Sequence, residues 1–159
     1  MKIAVLSDTH AFEPTPWHEE IFQQYMAGAD AIIHCGDITG VNFYHWLVGS
    51  HPRVHAVAGN MCEYNLAAEL NDTLTLEYEG FRIGVAHGWG PRSQVPYKVV
   101  QSFGPGYDII CFGHTHRFFW ETIDFTWALN PGSLQEHEPS MALLTLEKGE
   151  RPVVQRVIP

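Results

Sequence analysis

The chain has 159 residues, 45% hydrophobic and 17% charged, with 18 acidic residues against 9 Lys and Arg and a formal net charge of -9. A chain of this length buries roughly 70% of the surface its unfolded form exposes, so a single domain over residues 1–159 is expected. The acidic balance removes the counterion release on which nucleic-acid coats depend, and no Lys/Arg cluster restores it locally, which excludes an extended nucleic-acid surface.

No apolar run approaches the ~20 residues that span a bilayer, and Met1-Lys2 leads straight into a strand-like run without a signal-peptide pattern. No membrane role and a cytoplasmic location are expected. Cys35, Cys62 and Cys111 form no C-x-x-C pair and fit a reducing compartment. The 10 histidines are the surplus that asks for an explanation.

In chain order, Ile3 to Leu6, Ala31 to Ile33, Val54 to Ala58, Ile83 to Ala86 and Ile109 to Phe112 are near-continuous apolar runs, the pattern of strands buried on both faces. Thr15 as N-cap, Pro16 at the first helical position and Gly28 as stop predict a helix between the first two. Residues 41–48 and 92–102 are weaker helical stretches. Thr73 to Tyr78 and Phe81 to Ala86 read as a hairpin across Glu79-Gly80. Beyond residue 117 only strands are expected: Phe118 to Ile123, Thr126 to Leu129, Met141 to Glu147 and Val153 to Ile158. An α/β half followed by a β-rich half suggests two packed sheets with helices outside them.

Each buried run is followed by metal-capable side chains: Asp8 and His10, Asp37, Asn60, His87, and His114 and His116. Groups at the carboxyl ends of neighbouring strands in an α/β sheet converge on one edge. Asp8/His10 and His114/His116 are spaced i, i+2, so in an extended segment each pair points one way, to feed one metal or straddle two. Mixed imidazole and carboxylate donors suit divalent transition ions such as Mn, Ni, Fe or Zn, with Mn favoured, over Ca or Mg. Seven groups suffice for two ions if one carboxylate is shared, and such a pair would stabilise both the attacking and leaving oxygens of a phosphoryl displacement.

Asp8-Thr9-His10, Gly36-Asp37, Gly59-Asn60, His87-Gly88 and Gly113-His114-Thr115-His116 resemble the five ordered motifs of the calcineurin-like metallophosphoesterases. The short length and the Asn130-Pro131-Gly132-Ser133 turn are similar to the small single-domain phosphodiesterase branch, which includes the retromer subunit. The resemblance covers residues 1 to 147. It implies a four-layer αββα sandwich with two mixed β-sheets flanked by helices. It also implies one ion on Asp8, His10, Asp37 and His116, a second on Asp37, Asn60, His87 and His114, and Asp37 as the bridge. Asp37, Asn60 and His114 would be central to catalysis, with a metal-bridging hydroxide attacking the phosphorus of a small phosphate ester in line.

Many relatives place a His directly after the motif-three Asn, where it protonates the leaving group; here Met61 stands there, followed by Cys62 and Glu63, so diesters with good leaving groups are favoured. Ala11 stands where Gly is common. Cys62 should lie beside the metals. Arg92 and Arg117 either hold a substrate phosphate bidentately or are solvated surface groups. His34, inside a strand, is expected to be a satisfied core residue that could orient the Asp37 loop. The aromatics near the motifs wall a cleft, stack a base, pack helices or form a homo-oligomer interface. The rival reading is a metal-binding interaction scaffold of the same fold, with little or no catalysis.

Overall fold

A computed structural model describes residues 1–159. The first sheet has the order β10-β9-β1-β2-β3, formed by Val153–Val157, Met141–Thr145, Lys2–Leu6, Ala31–His34 and Val54–Ala56. The second has the order β4-β5-β6-β8-β7, formed by Thr73–Tyr78, Phe81–Ala86, Ile109–Cys111, Thr126–Pro131 and Phe118–Ile123. Both are mixed: β1, β2 and β3 run parallel, as do β5, β6 and β8, while β9, β10, β4 and β7 join antiparallel.

Strand alternation builds the layers. Ile3, Val5 and Ile33 face Ile83, Val85, Ile109 and Leu129 in a fully buried core between the sheets. Their neighbours Ala4, Leu6 and Ile32 point outward against Ile21, Phe22, Met26 and Leu47 of the helical layer, which includes α1 (Pro16–Ile21) and α2 (Val41–Ser50). On the other side Ile110, Phe112 and Ala128 pack against Val95, Val99 and Val100 of α4 (Val95–Phe103). The result is the expected four-layer αββα sandwich, driven by burial of both faces of each sheet.

Three details differ from the sequence reading. The two halves of the chain are not the two sheets, because β9 and β10 return to flank β1. The helix after Thr15 turns into a π-helical turn, Phe22–Met26, in which the Ala27 N–H donates to the Phe22 carbonyl at 2.8 Å; the wider turn lets Ile21, Phe22 and Met26 all reach the core. A short helix, α3 (Tyr64–Glu69), was not expected: it buries only Leu66, so it has no apolar periodicity to read.

Candidate metal centre

The loops after β1, β2, β3, β5 and β6 meet at one end of the sandwich and bring Asp8, His10, Asp37, Asn60, His87, His114 and His116 together. Asp8, His10, Asp37, His114 and His116 all have positive φ, from 48° to 68°. This left-handed region is uncommon for non-glycine residues and is stabilised only where surrounding contacts impose it. The i, i+2 pairs are therefore not extended as expected; each converges through a turned backbone. That backbone is held across chain-distant loops: Asp8 N–H donates to the Gly36 carbonyl at 3.0 Å, and His10 N–H to the Asp37 carbonyl at 3.0 Å.

Asp8 is fully buried, and its Oδ1 makes no hydrogen bond. Around that oxygen stand three imidazole nitrogens: His116 Nε2 at 3.1 Å, outside hydrogen-bond geometry, His10 Nε2 at 3.8 Å and His87 Nε2 at 3.9 Å. Asp37 Oδ2 lies 3.3 Å from His87 Nε2 and 3.7 Å from His10 Nε2. His87 Nδ1–H donates to the Cys35 carbonyl at 2.8 Å, which turns Nε2 toward the carboxylates and to within 3.0 Å of Asn60 Oδ1. His114 Nε2–H donates to the Gly90 carbonyl at 3.2 Å, and its ring stands edge-on to His87 at 5.3 Å. Acceptors so crowded need a cation among them, either protons on the imidazoles or divalent ions. The donor set fits the latter.

Two groupings have mutual donor distances suited to an ion: Asp8, His10 and His116, and Asp8, Asp37 and His87. Asp8 belongs to both, whereas the expected shared carboxylate is Asp37, whose Oδ2 faces His10 and His87. Neither grouping contains His114.

Comparison with known proteins decides the family. The family model for the calcineurin-like phosphoesterase superfamily domain matches residues 1–149. The chain belongs to that superfamily. A probable metallophosphoesterase of Bacillus subtilis is 30% identical over 155 residues, covering 92% of this chain and 85% of that protein. A phosphodiesterase of Methanocaldococcus jannaschii is 26% identical over 165 residues, covering 94% and 96%. Among solved structures, an archaeal phosphodiesterase superposes with a TM-score of 0.73 at 26% identity, covering 98% of this chain and 100% of that one. Vps29 of Entamoeba histolytica complexed with zinc gives 0.72 at 24%, covering 99% of both.

This phosphoesterase supports its cluster with groups that the sequence reading did not assign. Ser7 Oγ–H donates to Asp8 Oδ2 at 2.6 Å, and the His114 N–H donates to the same oxygen at 3.1 Å. Ser133 Oγ–H donates to the Asp8 carbonyl at 3.0 Å, and Asn130 Nδ2 donates to the Gly113 carbonyl at 2.8 Å, so the Asn-Pro-Gly-Ser turn ties the first and fifth motif loops together. His34 is fully buried between Thr9 Oγ1 at 3.1 Å and the Gly36 N–H at 3.2 Å. Burial pushes its imidazole down to about 3, so it stays neutral and braces the Asp37 loop as expected. His34 carried a signal as a brace for the Asp37 loop, and Asn130 to Ser133 as a motif without an assigned contact; the other contacts depend on partners remote in the chain.

Met61 contributes through its backbone: its N–H donates to Asp37 Oδ1 at 2.8 Å, while its side chain is exposed. Cys62 stays beside the loop that carries Asn60 without joining either donor grouping. Its sulfur accepts the Gly59 N–H at 3.4 Å and packs toward Ile38, Phe43 and Leu66, outside both donor groupings. Arg92 and Arg117 meet in one cleft of about 270 Å³ with Ser93, Tyr97 and Phe118. None of the seven clustered residues lines that cleft.

Burial pushes the carboxyls of Asp8 and Asp37 up, but the facing imidazoles outweigh it and leave both below the usual carboxylate range. The partner histidines rise: His10 through the facing Asp8 carboxylate, with Asp37 adding to it, and His87 through Asp37 and Asp8 in spite of burial. A histidine raised on folding adds stability that is full below its unfolded value of about 6.5 and is lost as pH climbs through the raised value. Added Mn is therefore expected to raise the melting temperature more at pH 8 than at pH 6, because at pH 8 it no longer competes with protons on His10 and His87. Equal metal-induced shifts at both pH values, read by thermal denaturation, would contradict this.

Proposed function

We propose that this phosphoesterase is a dinuclear metal-dependent phosphodiesterase, formed by one domain over residues 1–159 and acting in the cytoplasm on a small phosphate ester. The observation that carries this reading is the buried Asp8 Oδ1, which has no hydrogen bond and is faced by three imidazole nitrogens. Asp8, His10, Asp37 and His116 would hold one ion, and Asp37, Asn60, His87 and His114 the other. Divalent ions there supply Lewis acidity to phosphate oxygens and lower the pKa of water. The chain's own part is orientation: Ser7 and the His114 N–H fix Asp8, the Met61 N–H fixes Asp37, and the Cys35 carbonyl fixes the His87 tautomer.

Diester preference is supported by Met61, which offers the leaving group no proton, and by the 26% identical relative named a phosphodiesterase. The test is hydrolysis of bis(p-nitrophenyl) phosphate against p-nitrophenyl phosphate with Mn, Ni, Fe or Zn added. The diester is expected to be preferred at least ~10-fold, a difference of about 1.4 kcal/mol in barrier, with Mn most active. Folded, metal-loaded protein that shows no turnover above the metal blank on several diesters removes the enzymatic reading.

The scaffold reading draws support from one feature, the exposed Met61 next to Asp37 with the exposed Tyr64 three residues on, in a fold shared with Vps29. Metal content separates the two: two transition ions per chain together with turnover speak for the enzyme, and absence of metal affinity for the scaffold.

A further inference from the structure

Next to the cluster lies a cleft of about 350 Å³, whose lining includes Asn60 and His87 of the cluster together with Asp72, Thr73 and Trp89. Trp89 is 48% exposed and, unlike every other tryptophan of the chain, has no aromatic partner. Trp17 packs on His18, Trp46 on Phe22 and Phe43, and Trp120 stacks on Trp127 at 4.6 Å. A half-exposed indole with no aromatic neighbour leaves a flat apolar face free for a ligand ring to cover.

Its backbone is nevertheless anchored. Trp89 sits between Gly88 at φ 101° and Gly90 at φ 86°, and the Gly90 carbonyl accepts the His114 Nε2–H. In the same cleft, the Asp72 carboxylate makes no hydrogen bond or ion pair within the chain, although the adjoining backbone is tied down by the Ala58 N–H donating to the Asn71 carbonyl at 2.9 Å. The cleft therefore offers a flat aromatic face, an unengaged carboxylate and the Thr73 hydroxyl. A carboxylate repels a further phosphate but accepts hydrogen bonds from two adjacent hydroxyls. The flat face suits a heteroaromatic base, since stacking on an aromatic side chain tolerates any base.

We propose that this cleft binds the nucleoside portion of a ribonucleotide ester, with the base on Trp89 and the ribose diol on Asp72, so that the ester phosphate falls beside Asn60 and His87. The placement of the phosphate rests on the phosphodiesterase reading; nucleoside binding by the cleft does not.

The test uses the full chain and two measurements. In the first, NMR titration of adenosine and of 2′,3′-dideoxyadenosine gives their affinities without requiring turnover. Adenosine is expected to bind about 10-fold more tightly than the dideoxy compound; Asp72→Ala should erase that ratio, and Trp89→Ala should weaken both ligands about 10-fold. Both positions are on the surface, and circular dichroism verifies that the variants fold. Equal affinity for the two nucleosides, or retention of the ratio in Asp72→Ala, overturns the assignment. In the second, kcat/KM for adenosine 5′-(p-nitrophenyl) phosphate is compared with that for methyl p-nitrophenyl phosphate; a preference of at least 10-fold that collapses in Trp89→Ala is expected. Nucleoside binding as described without hydrolysis of any diester upholds the cleft and sinks the phosphodiesterase reading, whereas hydrolysis of both esters without discrimination does the reverse.

Discussion

Asp37→Ala is expected to lower kcat/KM for a phosphodiester on the order of 10³-fold, about 4 kcal/mol in transition-state stabilisation, and to reduce bound metal from two ions to fewer than one per chain. The reason is position. Oδ2 faces His87 at 3.3 Å and His10 at 3.7 Å, one histidine from each proposed ion site, while Oδ1 accepts the Met61 N–H at 2.8 Å and so orders the loop that carries Asn60. Truncation would remove a charge from both halves and release the loop together. Asp37→Asn keeps an acceptor for the Met61 N–H but loses the charge, so it should fold like the parent and still lose metal. Metal analysis alongside turnover reads both effects. Asp8 also belongs to both donor groupings, so two retained ions and full activity in Asp37→Ala would move the bridging role to Asp8.

Gly113→Ala should be the most damaging change that removes no functional group. A Cβ at Gly113 would stand 1.9 Å from Ser7 Oγ, 2.8 Å from Asp8 Oδ2 and 2.9 Å from the Cys35 carbonyl, all in the buried interior of the site. Ser7 cannot move away without giving up its 2.6 Å hydrogen bond to Asp8. Overpacking of this kind costs about 1–3 kcal/mol, and the lost hydrogen bond to a charged group about 1.5–3 kcal/mol more. Urea denaturation should show a lower midpoint with an unchanged slope, together with weakened metal binding. The matched control is Gly49→Ala near the end of α2, where nothing lies within 4 Å of the added Cβ. There the helix is expected to gain up to about 1 kcal/mol, because alanine loses less backbone freedom on folding. A Gly113→Ala protein as stable as the parent and fully metal-loaded would show that close approach of the two loops is dispensable.

Much of the molecule could be read before folding. The apolar runs at residues 3–6, 31–33, 83–86 and 109–112 became strands because a run buried on both faces has few other ways to satisfy its backbone in a chain of this size. Thr15 and Pro16 marked a helix start, and the structure begins α1 at Pro16 with the Thr15 N–H donating to His18 Nδ1 at 3.1 Å. Boundaries slipped where tertiary contacts took over. The third run stops at Ala56, and Val57 turns aside to bridge Asn71. α3 escaped notice because a six-residue helix that buries one side chain has no period.

The seven polar residues at strand ends were legible for a simple reason: sheet architecture carries the ends of parallel strands to one edge, and their order along the chain is itself a motif. Sequence alone therefore pointed to the family, to the strand runs buried on both faces and to the seven polar residues that meet at one edge. Tertiary structure decided the rest. It placed five donors in left-handed backbone conformations, made Asp8 common to both groupings, turned Cys62 into the loop packing and set Arg92 and Arg117 in a cleft of their own. These outcomes depend on contacts such as the His114 N–H to Asp8 Oδ2, between residues 106 apart in the chain. Local periodicity records only which face a residue buries; which distant loop comes within 3 Å of it is set by sheet register and by hydrogen bonds that exist only once both sheets have closed.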